Sequence, residues 1–266
     1  MKRKSIVLIA TAVMLMAAMV VGGTLAYFTD TDSAENVMTT GKVDIKQLEE
    51  KRFFDDNGNF WTLGDFEDNV SLMPMVDARK DGEATVVADE KLGWNVFHPN
   101  MKNVVDKFVR VTNVAEQGAI NQDVYARTII AFETARHYAE GSTTEFTDMH
   151  DVYIGVNGTY DYVKDAAGQG RYITVDDVEY VLAECVYEKA LAPQETSPTS
   201  LRQVFLAPTA GNEVADIFGS EYTILCLSQA TQTAGFDSAK VALDTAFGDL
   251  STMDINVIQG WFEAVE

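Results

Sequence analysis

The sequence predicts an all-β protein, an antiparallel β-sandwich with loop insertions and one short helix. Three observations carry that prediction. Strand-like apolar runs recur along the chain, most clearly between Lys107 and Phe132. Turn-forming residues separate them, as at Ala115-Glu116-Gln117-Gly118-Ala119 and Asn157-Gly158. No regular helix–strand alternation suggests a parallel sheet; helical spacing is evident only from Asp237 to Phe247.

The chain has 266 residues and 47% hydrophobic content, enough for a real core and too much for compositional disorder. It opens with a leader. Lys2, Arg3 and Lys4 form a positive start, Ser5 to Val21 is almost wholly apolar, and Gly22-Gly23 then precede Thr24-Leu25-Ala26. That is the layout of a secretory signal peptide, with cleavage expected between Ala26 and Tyr27. The apolar run approaches the ~20 residues of a spanning helix. The Gly-Gly break and the small residue at Ala26 favour cleavage over a permanent anchor. The expected organisation is residues 1–26 as signal peptide, 27–41 as the mature N-terminal segment, and 42–266 as a single sandwich domain with an insertion around 133–180.

Cleavage removes three basic residues and no acidic ones. It leaves 17 Lys and Arg against 41 Asp and Glu and takes the formal net charge from −21 to −24. Nucleic acid and anionic membrane surfaces would be repelled and are not expected partners.

Along the domain, Val43 and Ile45 alternate with Asp44 and Lys46 in a half-buried strand. Asp55, Asn57 and Asn59 have the alternate spacing of a calcium loop. Gly58 is misplaced for one and no closing Glu follows, so an Asn-Gly turn is the better reading. Residues 62–100, punctuated by Pro74, Gly82, Gly93 and Pro99, read as loops and short strands. Phe108, Val109, Val111 and Val114 form one strand and Val124 to Phe132 the next, read as an antiparallel hairpin. In the second strand Arg127 alternates with apolar neighbours; pairing with a carboxylate across the sheet and facing outward to solvent both stay open. Tyr153-Ile154 and Tyr172-Ile173 are candidate strands of a side hairpin. Tyr180 to Tyr187, Leu201 to Phe205 and Tyr222 to Ala230 are further strands. The helix carries Ala239, Ala242, Leu243, Ala246 and Phe247 on one face, capped by Asp237 or Ser238.

The stretch GGTLAYFTDTDSAENVMTTGKVDI resembles the leader boundary of the TasA/camelysin family, in Gly22, Gly23, Thr24, Ala26, Tyr27, Phe28, Gly41 and Val43-Asp44-Ile45. Two later blocks share the likeness. One is Val109-Arg110-Val111-Thr112-Asn113 with Val124-Tyr125-Ala126-Arg127, continuing into Tyr187, Leu191, Pro193, Glu195 and Leu201. The other runs from Ser228-Gln229-Ala230 to Ala246-Phe247-Gly248. The resemblance implies a jelly-roll topology and processing by a SipW-type signal peptidase. It also implies secretion to the extracellular matrix or surface of a Gram-positive-type bacterium.

Cys185 and Cys226 are the only cysteines. In an exported chain they are a candidate disulfide, and two buried thiols packed as small hydrophobes is the equal alternative. No catalytic pattern is present. A zincin helix needs His-Glu-x-x-His so that two imidazoles face one metal. His98, His137 and His150 instead stand far apart, and no Gly-x-Ser-x-Gly elbow or phosphate loop occurs. No enzyme activity, metal or cofactor is expected from the residues themselves.

The resemblance to TasA implies a secreted structural protein of the biofilm matrix that assembles into fibres; the residues themselves show a freed, strand-competent N-terminal segment. Fibres would form when the freed segment, with Tyr27, Phe28, Val37 and Met38 to bury, adds to a sheet edge of the next subunit. The partner would be another copy or a sister matrix protein. The alternatives are a secreted metallopeptidase of the kind claimed for camelysin, and a cell-surface adhesion or binding module.

Overall fold

The computed structural model describes residues 29–33, 36–37, 43–55, 61–66, 70, 72–74, 76–77, 86–89, 92–97, 101–115, 123–134, 136–138, 146–148, 153–218 and 221–264. The leader, the Ala26–Tyr27 junction, Phe28, Met38, His98 and His150 lie outside the described residues. Among the described residues no helix is long and apolar enough to cross a membrane.

The strands begin with β1 (Thr29–Ser33), β2 (Asn36–Val37), β3 (Ile45–Phe54), β4 (Trp61–Asp65), β5 (Val76–Asp77) and β6 (Val86–Asp89). They continue with β7 (Trp94–Phe97), β8 (Met101–Lys102), β9 (Val105–Asn113), β10 (Val124–Glu133), β11 (Arg136–Tyr138) and β12 (Phe146–Asp148). The last six are β13 (Ile154–Gly158), β14 (Asp161–Tyr162), β15 (Tyr172–Val175), β16 (Val178–Leu191), β17 (Leu201–Leu206) and β18 (Ile224–Gln232). Among the described residues three helices join them: α1 (Glu213–Phe218), α2 (Ala239–Phe247) and α3 (Ile255–Glu263).

Two antiparallel sheets form the sandwich. Sheet one runs β14-β16-β10-β18-β1-β2, with β15 also on β16; sheet two runs β13-β17-β9-β3-β4. Their facing sides bury Ile130, Phe132, Val181 and Ala183 against Val109, Leu201 and Val204. A neighbouring cluster sets Val43, Ile45 and Val111 against Ala126, Cys185 and Tyr187. The other side of sheet one is covered too: Ile129, Ala131, Leu182 and Leu227 pack with Ile258 and Phe262 of α3.

That double cover explains β10, VYARTIIAFE, which is buried at every position but Tyr125. A strand apolar on both faces belongs in the middle of a sheet with layers above and below. It also corrects the hairpin expected from Phe108–Phe132. β9 pairs with β3 and β17, whereas β10 pairs with β16 and β18, so the two runs lie in opposite sheets. Two buried strands read alike in sequence whether they pair or stack.

The expected helix is α2. The Ser238 side chain accepts from the Val241 N–H, and Gly248, at φ 99°, closes the other end with its N–H on Asp244 O at 2.9 Å. α1 and α3 correct the expectation of a single helix. The signal for α3 was present: Asp254 caps it by accepting from Asn256 N–H at 3.0 Å, and Ile258 and Phe262, four residues apart, are its buried pair. The segments read as a side hairpin supply edge strands to both sheets instead: β13 pairs β17 and β15 pairs β16.

Candidate functional site

The N-terminal segment ends up on the edge of sheet one. β18 carries the sequence ILCLSQATQ. Its inner side is held by β10 from Phe132↔Ile224 to Val124↔Gln232. Its outer side receives β1, antiparallel, in the register Thr29↔Thr231, Asp30↔Ala230, Thr31↔Gln229 and Asp32↔Ser228. The chain then folds back as β2, with Asp32 opposite Val37 and Ser33 opposite Asn36. The segment expected to add to the next subunit thus has its β1 paired with its own domain here. Of the residues expected to anchor it, Val37 lies in β2; Tyr27, Phe28 and Met38 fall outside the described residues.

Composition makes this contact unusual. β1 reads Thr-Asp-Thr-Asp-Ser, without one apolar side chain. A strand of that kind is held chiefly by main-chain hydrogen bonds, because it has no apolar area to remove from water. The edge beneath it is largely polar too, but buried. Ser228, Gln229, Ala230 and Thr231 are all fully buried or nearly so.

β18 is locked from both faces. Toward sheet two, Ser228 Oγ donates to Gln47 Oε1 at 2.6 Å, and Gln47 Nε2 donates to Cys226 O at 3.3 Å. Thr128 Oγ1 lies 3.3 Å from Ser228 Oγ and 2.8 Å from the Tyr187 hydroxyl. Burial pushes the Tyr187 phenol up to about 12, so it stays neutral and serves as a hydrogen-bonding group.

Toward the helices, Arg127 settles the question left open by the sequence. Its side chain is wholly buried and pairs across the sheet. Nε and Nη2 donate to Gln229 Oε1 at 2.9 and 2.8 Å, Nη1 to Glu184 Oε1 at 2.9 Å, and Nη2 to Gly248 O at 3.3 Å. Asp244 of α2 stands at 3.5 Å from Nη1, and the Phe247 ring lies over the guanidinium at 5.8 Å. One arginine therefore joins β16, β10, β18 and the end of α2. These bonds fix the position of β18 within the sheet.

Cys185 and Cys226 are both free and buried. Cys185 stands opposite Thr128 and Cys226 opposite Ile130, so β10 lies between them. Strands are about 4.8 Å apart, and two strand spacings exceed the roughly 4.4–6.8 Å between Cα atoms that a disulfide spans. Burial pushes the Cys185 thiol up to about 12 and the Cys226 thiol further in the same direction.

Among the described residues no group of three or more His, Cys, Asp or Glu side chains is placed to hold a metal ion. His137 sits in the β11–β12 ribbon opposite Thr147.

The family model described as camelysin metallo-endopeptidase matches residues 1–57. The N-terminal part of the chain is camelysin-like. That family includes TasA. The camelysin-like stretch contains β1 and β2 as well as β3, the strand whose Gln47 holds Ser228 in place. No curated protein and no solved structure matches the chain.

Proposed function

We propose that this is a secreted structural protein of a bacterial extracellular matrix that assembles into fibres by strand exchange at the edge of β18. One observation carries the reading: the N-terminal strand that covers this edge is a five-residue polar segment without an apolar side chain. A neighbour's copy of the same segment makes the same backbone bonds at the same register, so exchange between subunits costs little in contacts. The reaction is not symmetric in concentration. Pairing within a chain is favoured when dilute, and pairing between chains when subunits are crowded at a cell surface. Each subunit then gives one strand and receives one, and a head-to-tail contact that does not close produces a filament.

The leader supports delivery to that place. Cleavage between Ala26 and Tyr27 by a SipW-type signal peptidase would free the segment from the membrane, leaving no permanent anchor, and allow it to swing to a neighbour. The high negative charge of the mature chain keeps subunits dispersed until strands exchange.

Electron microscopy and size-exclusion chromatography of protein beginning at Tyr27, beside protein beginning at Lys42, test the reading. Filaments from the first and monomers from the second are expected. A synthetic peptide of residues 27–41 should bind the shorter protein one to one. Monomers from both proteins at high concentration, with no peptide binding, would sink it.

The family's description motivates a second reading as a metallo-endopeptidase. Its signature would be casein cleavage by the purified protein, abolished by a chelator and restored by a stoichiometric divalent metal.

A further inference from the structure

A second surface lies on the outer side of sheet two, away from β18. The β6–β7 hairpin lies over that side, and between it and the edge strand β4 runs an open groove of about 370 Å³. Trp61, Thr62 and Leu63 of β4 form one wall, Leu92 and Trp94 the other, and Arg110 the floor. The volume falls in the range of about 300–1,000 Å³ typical of ligand sites.

The aromatic rings are held in place. Trp94 meets the buried Phe108 edge-on at 5.3 Å, and the Arg110 guanidinium lies over the Trp94 ring at 5.2 Å. Trp61 stands opposite Phe54, which is 44% exposed, and the Arg52 guanidinium lies over both rings at 6.0 and 5.2 Å. Arg52 is in turn fixed by two hydrogen bonds to Asp106, at 2.5 and 2.9 Å.

The groove is polar as well as aromatic, and it is electrically balanced. Arg110 Nε donates to Glu50 Oε2 at 2.9 Å, and Nη2 bonds the same oxygen. Among the described residues neither Arg110 Nη1 nor the Trp94 indole N–H has an acceptor. An apolar occupant would cover these donors without satisfying them. Hydroxyl groups would satisfy them. A pyranose ring offers hydroxyls at its rim and weakly positive C–H groups on its faces, which meet the negative faces of indole rings. The net charge of −21, with both groove arginines already paired to carboxylates, disfavours an anionic polymer.

We propose that the Trp61–Trp94 groove binds a neutral hexopyranose polymer, with the two indoles as stacking platforms and Arg110 and Trp94 as donors to its hydroxyls. The site is separate from the β18 edge and does not depend on fibre assembly.

Isothermal titration of the full secreted chain with cellohexaose, laminarihexaose and chitohexaose tests this, with trigalacturonate as the anionic control. Saturable binding of at least one neutral oligosaccharide is expected. Trp61→Ala should weaken it about tenfold by removing one stacking ring, and Trp61→Phe should restore most of it. Trp94→Phe keeps a ring on Phe108 but loses the N–H, and should weaken binding severalfold at an unchanged melting temperature. The proposal fails if no neutral sugar gives saturable heat, if only trigalacturonate binds, or if binding is indifferent to Trp61→Ala. Self-association that is lost in Trp61→Ala, with no sugar binding, would also overturn it and assign the groove to a second copy of the chain.

Discussion

Gln229 takes two hydrogen bonds on its Oε1 from Arg127, and it stands in β18 directly opposite Thr31 of the N-terminal strand. The residue that presents the edge is thus tied to Arg127, a fully buried cation. Arg127→Met would leave the half-buried Glu184 without its arginine, leave Asp244 paired with Lys240 alone, and remove the arginine's tie between α2 and the sheet. Losing one partner of a buried ion pair costs about 3–5 kcal/mol. Urea denaturation should show a loss of that order, together with weaker filament formation. A change within a few tenths of a kcal/mol would show that the network adds nothing to stability.

Strand exchange predicts a specific sensitivity to proline. Successive backbone N–H groups of a strand point to opposite edges. In the variant Thr31→Pro with Asp32→Pro, at least one lost donor faces β18, whatever the hydrogen-bond phase. Filaments should be abolished in electron micrographs while the domain melts within a few degrees of the unaltered protein. Normal filaments from the double variant would exclude β1 as the exchanged strand.

The two cysteines should be silent in the folded protein. Both are buried and both thiols are pushed up by burial, so little thiolate forms near neutral pH. Ellman's reagent should label none in buffer and two per chain in denaturant without reductant. No labelling under denaturing conditions would mean that they are bonded.

Glu133 supplies a pH signature. Its Oε2 accepts from the Thr223 N–H at 2.6 Å, yet burial raises its pKa above the ordinary carboxylate value, and the bonds to Thr223 offset that only in part. The folded state therefore binds this proton more tightly than the unfolded chain. Its contribution to stability grows as pH falls through the window above about 4.3 and is lost as pH rises through the folded pKa. Glu133→Gln keeps an acceptor and removes the titration. The melting temperature of the variant relative to the unaltered protein should therefore be higher at a pH of about 7.5 than at about 5. An equal difference at both would show that Glu133 does not titrate differently in the fold.

Much of the fold was legible in the residues. β3, β10, β16, β17 and β18 fall on apolar runs, because a strand covered on one or both faces must carry apolar side chains with a period of two or in an unbroken series. The α2 boundaries follow from Ser238 and Gly248, since capping is local chemistry. Residues 62–100 were legible as loops and short strands, but neither the pairing of those strands nor the aromatic groove was. Trp61 and Trp94 are 33 residues apart and meet only because a hairpin folds over sheet two.

The sequence by itself determined the acidic composition, the all-β class and the polar character of the N-terminal segment, all of which are properties of composition and short-range pattern. Only the tertiary structure decided which strands pair. It put β9 and β10 in opposite sheets, Arg127 under α2, Cys185 and Cys226 on either side of β10, and β1 on the edge of β18. The physical reason is that a buried strand's side chains record how much water its surroundings exclude and not which neighbour excludes it. Strand pairing is made by backbone groups that every residue but proline carries alike.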